Sequence, residues 1–336
     1  MKVSVALPVF NKAPYLKEAL DSIFAQTFRD FEIIAVDDKS TDESLAILRG
    51  IDDPRLKVVA LDRNLGHPGA TQVAIEQGTG EYIIRSDADD LCHPERFAKQ
   101  VAYMDAHPEV GISGSGLQLF GTRSDVWRYP LDNATCQARL FFSPPVADGA
   151  SIIRRSVLET HQLGFKPHWP RVGADWLLML DLAAVTRFGN LDEVLLSYRR
   201  GPQNISARSQ GMEGRREATR MGLQALGLEG TEEQVRHHLA CSMYLPDKTP
   251  ALVRAVFAWL QRLEQLNRSM GRSPDPIFRQ ETERIWKRLF YFLDQADRKT
   301  LWTYIRLNGG LSPDRLLYLL KVRLAPYRNG RRNEAK

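Results

Sequence analysis

Asp87, Asp89 and Asp90 fall within four residues at the end of the apolar run in EYIIRSDADDLCHPERF, residues 81 to 97. Carboxylates this close repel one another, and a positive group among them would offset the repulsion. Clustered carboxylates on a loop are hard oxygen donors suited to Mg²⁺ or Mn²⁺, ions that keep positions open for phosphate oxygens. An ion bridging a diphosphate would neutralise both the aspartates and a leaving nucleotide. The chain has no GxxxxGK[ST] and no GxGxxG, so a metal would have to replace the glycine-rich phosphate cradle.

The elements that must position these residues alternate in type over the first 120 residues. KVSVALPVF, FEIIAV, LKVVAL and EYIIRS read as buried strands. Between them, Leu16, Leu20, Ile23 and Phe24 form one helical stripe, and Phe97, Val101 and Met104 form another. Alternating strands and helices predict an α/β fold with a mainly parallel sheet covered on both faces. Ligands of such sheets bind beyond the carboxyl ends of the strands. Pro8 to Asn11, Asp37 with Asp38, Asn64 with Gly66, and Asp87 to Asp90 follow the four strands in turn, so all four sets are expected on one rim.

Each set also has a purely structural reading. Ser40 and Glu43 have capping-box spacing for a helix carrying Leu45 and Leu48. NLGHPG has the composition of a Gly-rich turn, and one aspartate of DADD could cap a helix starting near Pro94. One cap leaves the other two aspartates unexplained, whereas one bound ligand accounts for the whole rim.

Composition sets the class. The chain of 336 residues is 43% apolar and 26% charged, as in a globular protein of one large domain or two. No apolar run reaches the roughly 18 residues of a membrane span, and MKVSVALPVF leads into a strand pattern, so the expectation is a cytoplasmic protein. Cys92, Cys136 and Cys241 form no CxxC pair, which suits a reducing compartment. Residues 321 to 336 hold six Lys or Arg against one Glu, an excess equal to the net charge of +5 of the whole chain. Basicity confined to a tail argues against a nucleic-acid face. It fits either a solvated terminus or a segment on the anionic inner face of the cytoplasmic membrane.

ALPVFN at 6 to 11, VDDKSTDES at 36 to 44, GEYIIRSDADDLCHPERFAKQV at 80 to 101, GADWLLML at 173 to 180 and LLSYRRGPQNIS at 195 to 206 together resemble the family 2 glycosyltransferases. The resemblance covers about residues 1 to 206 and implies the GT-A nucleotide-diphospho-sugar transferase fold. It implies an inverting transferase that moves a sugar from a nucleotide-diphosphate sugar to a glycan or lipid-linked acceptor in bacterial surface-polysaccharide synthesis. Pro8, Phe10 and Asn11 would line the nucleotide pocket, with Asn64 and Gly66 beside it, and Asp38 with Asp37 would read base or ribose. Asp87 and Asp89, with Ala88 between them, would be the DxD pair that holds Mn²⁺ or Mg²⁺, with Asp90 in support. Arg85 would reach the donor. Asp175, at a helix start, would be the catalytic base; the helix dipole there would lower its pKa.

The chain departs from the family pattern where relatives commonly have His: Asp148 stands at one such place and Gly201 in YRRG at the other. Arg199 or Arg200 would compensate by pairing with phosphate. Thr71 and Gln72 stand for a frequent Arg and Asn, and Ala174 for the acidic residue before the base. His93 and His168 read as loop histidines. These losses keep open a second reading, a non-catalytic sugar-nucleotide-binding or scaffold protein of the same fold. After Ser206 the pattern is helical, giving an expected catalytic domain at 1–206, a helical region at 207–325 and a basic tail at 326–336.

Overall fold

The computed structural model describes residues 1–201, 210–244, 247–293 and 296–319. Two compact units divide after Gly230.

In the first unit, β1 (Val3–Val9), β2 (Phe31–Asp37), β3 (Leu56–Ala60) and β4 (Tyr82–Arg85) run parallel in the order β3-β2-β1-β4. Every residue of β1 and β4 is buried, because helices cover both faces and leave no face on which a polar alternation would be useful. α1 (Ala13–Phe24) contributes Leu16, Leu20 and Ile23 to this core, and α4 (Arg96–Ala106) contributes Phe97, Val101 and Met104. Pairing of Val9 with Asp37 and of Ala6 with Arg85 brings the carboxyl ends of β1, β2 and β4 to one rim. The sheet continues through β8 (Ile152–Arg154), antiparallel to β4, then β6 (Val110–Gly121) and the long β9 (Arg187–Arg200). The two-residue strand β5 (Leu91–Cys92) pairs with β9 and pins the end of the aspartate loop to it.

Two helix starts differ from the sequence reading. α2 (Ser44–Arg49) begins after Glu43 without a side-chain cap, and Ser40 Oγ instead accepts the Asn11 N–H at 3.1 Å. α4 likewise begins after Glu95 with no side-chain cap. None of the aspartates in DADD is used as its cap, so all three remain at the rim.

α7 (Ala174–Leu182) and α8 (Gln210–Ala225) pack together through glycines. A Cβ at Gly222 of α8 would stand 2.4 Å from the Trp176 ring, and one at Gly173, just before α7, would stand 2.6 Å from Ala218. Gly173 also has φ +91°, a conformation that costs glycine least. α8 therefore belongs to the first unit, although the helical texture that begins after Ser206 had placed it with the C-terminal region.

The second unit comprises α9 (Glu232–Cys241), α10 (Pro250–Met270), α11 (Asp275–Phe292) and α12 (Arg298–Leu307). Trp259, Leu263, Ile285 and Phe290 are buried, and Trp286 stacks on Tyr304 at 4.6 Å. Most of the apolar stripe is thus core, as its spacing predicts; Trp302, 67% exposed, is not. The basic tail lies outside the described residues.

Candidate active site

The rim carries two walls of different character. Along the first, Asp38 is buried, Asn64 Nδ2 donates to its carbonyl at 2.8 Å, and the Leu65 N–H donates to its Oδ1 at 2.6 Å. Burial pushes the Asp38 carboxyl up, against the pull of the Leu65 and Gly66 N–H groups and of Arg171. Phe10 is 43% exposed and presents a ring beside it. Asn11 and Asp37 turn inward to the scaffold: Asn11 Oδ1 accepts the Thr41 N–H at 2.8 Å, and Asp37 Oδ2 accepts the Ser40 N–H at 3.1 Å. Asn11 adopts φ +52°, one of the few non-glycine residues to do so. Pro8 is a buried residue of β1 directly before this turn.

The second wall is the acidic loop. Arg85, fully buried at the end of β4, donates to the Ala6 carbonyl at 2.9 Å and to Asp148 Oδ2 at 3.0 Å, and lies 3.6 Å from Asp87 Oδ1. Removing its charge would leave Asp87 and Asp148 facing one another, and breaking such a buried pair costs about 3–5 kcal/mol. His67 Nε2 is 3.0 Å from Asp87 Oδ1. Burial alone would raise the Asp87 carboxyl, yet His67, Arg85 and Lys12 outweigh it and hold Asp87 well below the usual carboxylate range. Asp90 goes the other way: burial first, then Asp87 and Asp89, push it well up, although the Arg199 N–H donates to its Oδ1 at 2.8 Å. Asp89 pairs with Lys12 Nζ. Ala88 is buried between the two, and Gly149 packs so closely on this loop that a Cβ there would stand 2.9 Å from Asp87 Oδ2.

Arg199 is committed to the loop. Its Nε donates to the Asp89 carbonyl at 2.9 Å, its Nη2 to Glu18 at 2.6 Å, and its guanidinium lies over Tyr15 and Phe120. Arg200 lies over Trp127 and Tyr198, 5.9 Å from each ring centroid. Thr71 and Gln72 are structural, donating to the His67 carbonyl and accepting the Phe165 N–H respectively. His93 and His168 are exposed loop residues.

Asp175 stands in the first turn of α7. The helix dipole was expected to lower its pKa; instead burial, and next the charge of Asp148, push it up to about 6. Burial wins because the dipole is worth only about 0.3–1 kcal/mol at a helix end.

Hard oxygens from Asp87 and Asp89, with the buried Asp90 Oδ2 lacking any partner, fit a small divalent cation by the chemistry of the donor set. Among the described residues no three acidic, His or Cys side chains already converge as a ready cage. Such ions are typically held by one or two carboxylates plus substrate phosphates, so two aspartates suffice. The Lys12 ammonium pairs with Asp89 and supplies positive charge there.

Sequence reasoning did not single out Lys12, His67 or Arg171. His67 had a usable signal, since it follows Gly66 on the predicted rim. His67 and Arg171, together with α8, enclose a cleft of ≈ 640 Å³ lined also by Phe10, Asp38, Asn64 and Arg216. That is the size range of a small-molecule site.

A mixed sheet with its acidic loop beyond the strand ends defines a GT-A sugar-nucleotide transferase fold. The S. aureus TarS fragment 1–349, solved in complex with UDP-GlcNAc, superposes with a TM-score of 0.61 over 88% of this chain and 93% of that one, at 21% identity. The description of glycosyl transferase family 2 matches residues 4–161. An amylovoran biosynthesis glycosyltransferase, AmsE of Erwinia amylovora, is 30% identical over 61% of this chain and 79% of that protein. An uncharacterised glycosyltransferase of Haemophilus influenzae is 30% identical over 59% of this chain and 65% of that protein. The chain belongs to glycosyl transferase family 2.

Proposed function

We propose that the protein transfers a sugar, with inversion, from a nucleotide-diphosphate sugar to a hydroxyl of a glycan or lipid-linked glycan in the synthesis of a surface polysaccharide. The observation that carries this reading is a pair of carboxylate environments pushed apart on one rim: Asp87 is held ionised by its cations, while burial raises Asp175 to about 6. Such a division separates a charge-binding group from a proton acceptor. The amylovoran relationship supports the polysaccharide setting, and the UDP-GlcNAc complex of the TarS fragment supports the donor class.

Asp38 and Phe10 receive the nucleoside, and the acidic wall faces the diphosphate. A divalent ion, Mn²⁺ or Mg²⁺, held by Asp89 and Asp87 would supply positive charge to the leaving group. Asp175 takes the proton from the acceptor hydroxyl as that oxygen bonds to the anomeric carbon, while the bond to the diphosphate breaks on the opposite side. Arg85 and His67 fix Asp87. Arg199 fixes the backbone around Asp89 and Asp90.

Incubation with a panel of nucleotide sugars in Mn²⁺ tests the reaction. One donor should release its nucleoside diphosphate, faster when a hydroxylated glycan acceptor is added. Donor binding without hydrolysis or transfer anywhere in the panel would establish the non-catalytic scaffold reading instead.

No helix among the described residues is long and apolar enough to cross a membrane. We place the protein in the cytoplasm with its basic tail on the inner face of the membrane, where polybasic segments contribute about 1 kcal/mol per charge. Co-sedimentation with anionic vesicles should be salt-sensitive for the full chain and absent for a chain ending at Leu320. Equal sedimentation of both removes the tail from this role.

A further inference from the structure

Trp127 has no part in the reaction as just proposed, yet several contacts hold it in place at the surface beside the rim. β7 (Val126–Trp127) pairs with β6, with Trp127 opposite Leu117. The turn leading into it is tied at both ends. Gln118 Nε2 donates to the Ser124 carbonyl at 3.0 Å, the Leu119 N–H to the Asp125 carbonyl at 2.8 Å, and the Thr122 N–H to the Arg200 carbonyl at 3.1 Å. Gly116 lets the hairpin close, since a Cβ there would stand 3.1 Å from the Trp127 carbonyl oxygen. The indole is 37% exposed and stacks on Tyr198, with 6.3 Å between ring centroids and 29° between planes, and Arg200 lies over both rings.

The inner end of this platform reaches the reacting groups. Burial, and then the charges of Asp87 and Asp90, push the Tyr198 hydroxyl up to about 12, against its hydrogen bond to Arg200. Burial, and then Tyr198 and Asp175, raise the hydroxyl of Tyr129. Both phenols are therefore protonated donors at neutral pH, one near the acidic loop and one near the proposed proton acceptor. The donor is taken by the walls already described, which leaves the platform to the second substrate. An exposed flat ring that leads to hydroxyl donors suits both parts of a sugar. A pyranose has a face of C–H groups that an indole can cover, and a rim of hydroxyls that donate and accept hydrogen bonds. A lipid chain would find no apolar border here, because in the same hairpin Arg128 pairs with Asp192 at 2.7 Å and Arg123 with Asp125 at 2.7 Å, all on the surface.

We infer that Trp127, stacked on Tyr198 and held by Arg200, is a specificity-determining residue that seats a pyranose ring of the acceptor, so that the acceptor is read as a carbohydrate and not through a lipid chain. This deepens the transferase reading above and rests on it for the existence of a second substrate. Saturation-transfer NMR tests it, using the full chain with the methyl pyranosides of glucose, galactose, mannose, rhamnose and N-acetylglucosamine, and with sorbitol, which carries hydroxyls but no ring. At least one pyranoside should receive saturation, most strongly at the C–H groups of one face, and sorbitol should receive none. Trp127→Ala should bind that pyranoside about tenfold or more weakly, and Trp127→Phe should keep most of the binding because a flat ring remains. When the same pyranoside is offered as acceptor to the donor selected by the panel above, Trp127→Ala should raise its KM by a similar factor. The melting temperature of Trp127→Ala should stay close to the parent's, since the indole is partly exposed.

Absence of pyranoside binding by the parent would overturn the inference, as would equal binding of sorbitol or parent-like pyranoside binding and KM in Trp127→Ala. Loss of co-sedimentation with phosphatidylglycerol vesicles in Trp127→Ala, with pyranoside binding intact, would also overturn it and make the hairpin a membrane contact. The NMR readout needs no donor, so these failures are distinct from failure of the transferase reading, in which no nucleotide sugar of the panel reacts.

Discussion

Asp175→Asn should melt higher than the parent at pH 7.5 and transfer almost no sugar. The folded protein raises Asp175 from 3.8 to about 6, so above pH 6 it carries a charge that its surroundings disfavour. That penalty is fully present above pH 6, shrinks as the pH falls towards 3.8, and is gone below it. Asparagine keeps the shape without the charge. Removing the penalty should gain on the order of 1–3 kcal/mol near neutral pH and nothing near pH 4. Transfer should fall about a hundredfold to ten-thousandfold, because the amide cannot take the acceptor's proton, while donor binding stays as it was. In the parent, the rate should drop as the pH falls through about 6. Transfer at the parent rate by the variant would eliminate Asp175 as the base. A lower melting temperature at pH 7.5 would show that burial does not dominate its electrostatics.

A nucleoside diphosphate with Mn²⁺ should stabilise the parent by mass action, about 2.7 kcal/mol at a hundred times its dissociation constant. Chelation should abolish that gain, and so should Asp89→Ala. The ligand-free variant should also melt lower than the parent, since Lys12 loses the partner it holds in a largely buried pair. An equal ligand-induced shift with chelator, or in the variant, would mean that the diphosphate is bound without a metal bridge and that Lys12 and Arg85 suffice as its cations.

The first four strands and the acidic rim were readable in the sequence because each rests on local pattern, whereas β6, β8 and β9 and the order of the sheet were not. Buried parallel strands are continuous apolar runs, and the rim residues lie at their ends or a few residues beyond. Lys12 and Asp89 meet only after the chain has folded, and nothing local at position 12 marks the encounter. The cap of α2 was misread for a related reason: Ser40 has the right spacing, but Asn11, from a distant turn, supplies a donor that claims its hydroxyl. The raised Asp175 carboxyl depends on burial and on Asp148 from another segment, so a helix-start rule alone gives the wrong sign. Gly173, Gly214 and Gly222 look in sequence like weaknesses in and around helices, yet each marks a place where two helices or a loop must come close.

Those three glycines have a practical consequence for dissection of the enzyme. The match to the family ends at residue 161, before α7 and before β9, which pins the aspartate loop; the sheet is complete at Arg200, so a fragment trimmed there would retain the acidic rim. It would nevertheless lose the helix that buttresses the first turn of α7 on one side and seats the Arg171 segment on the other. The proposed proton acceptor rests on that brace, so the smallest fragment expected to remain active extends through Gly230.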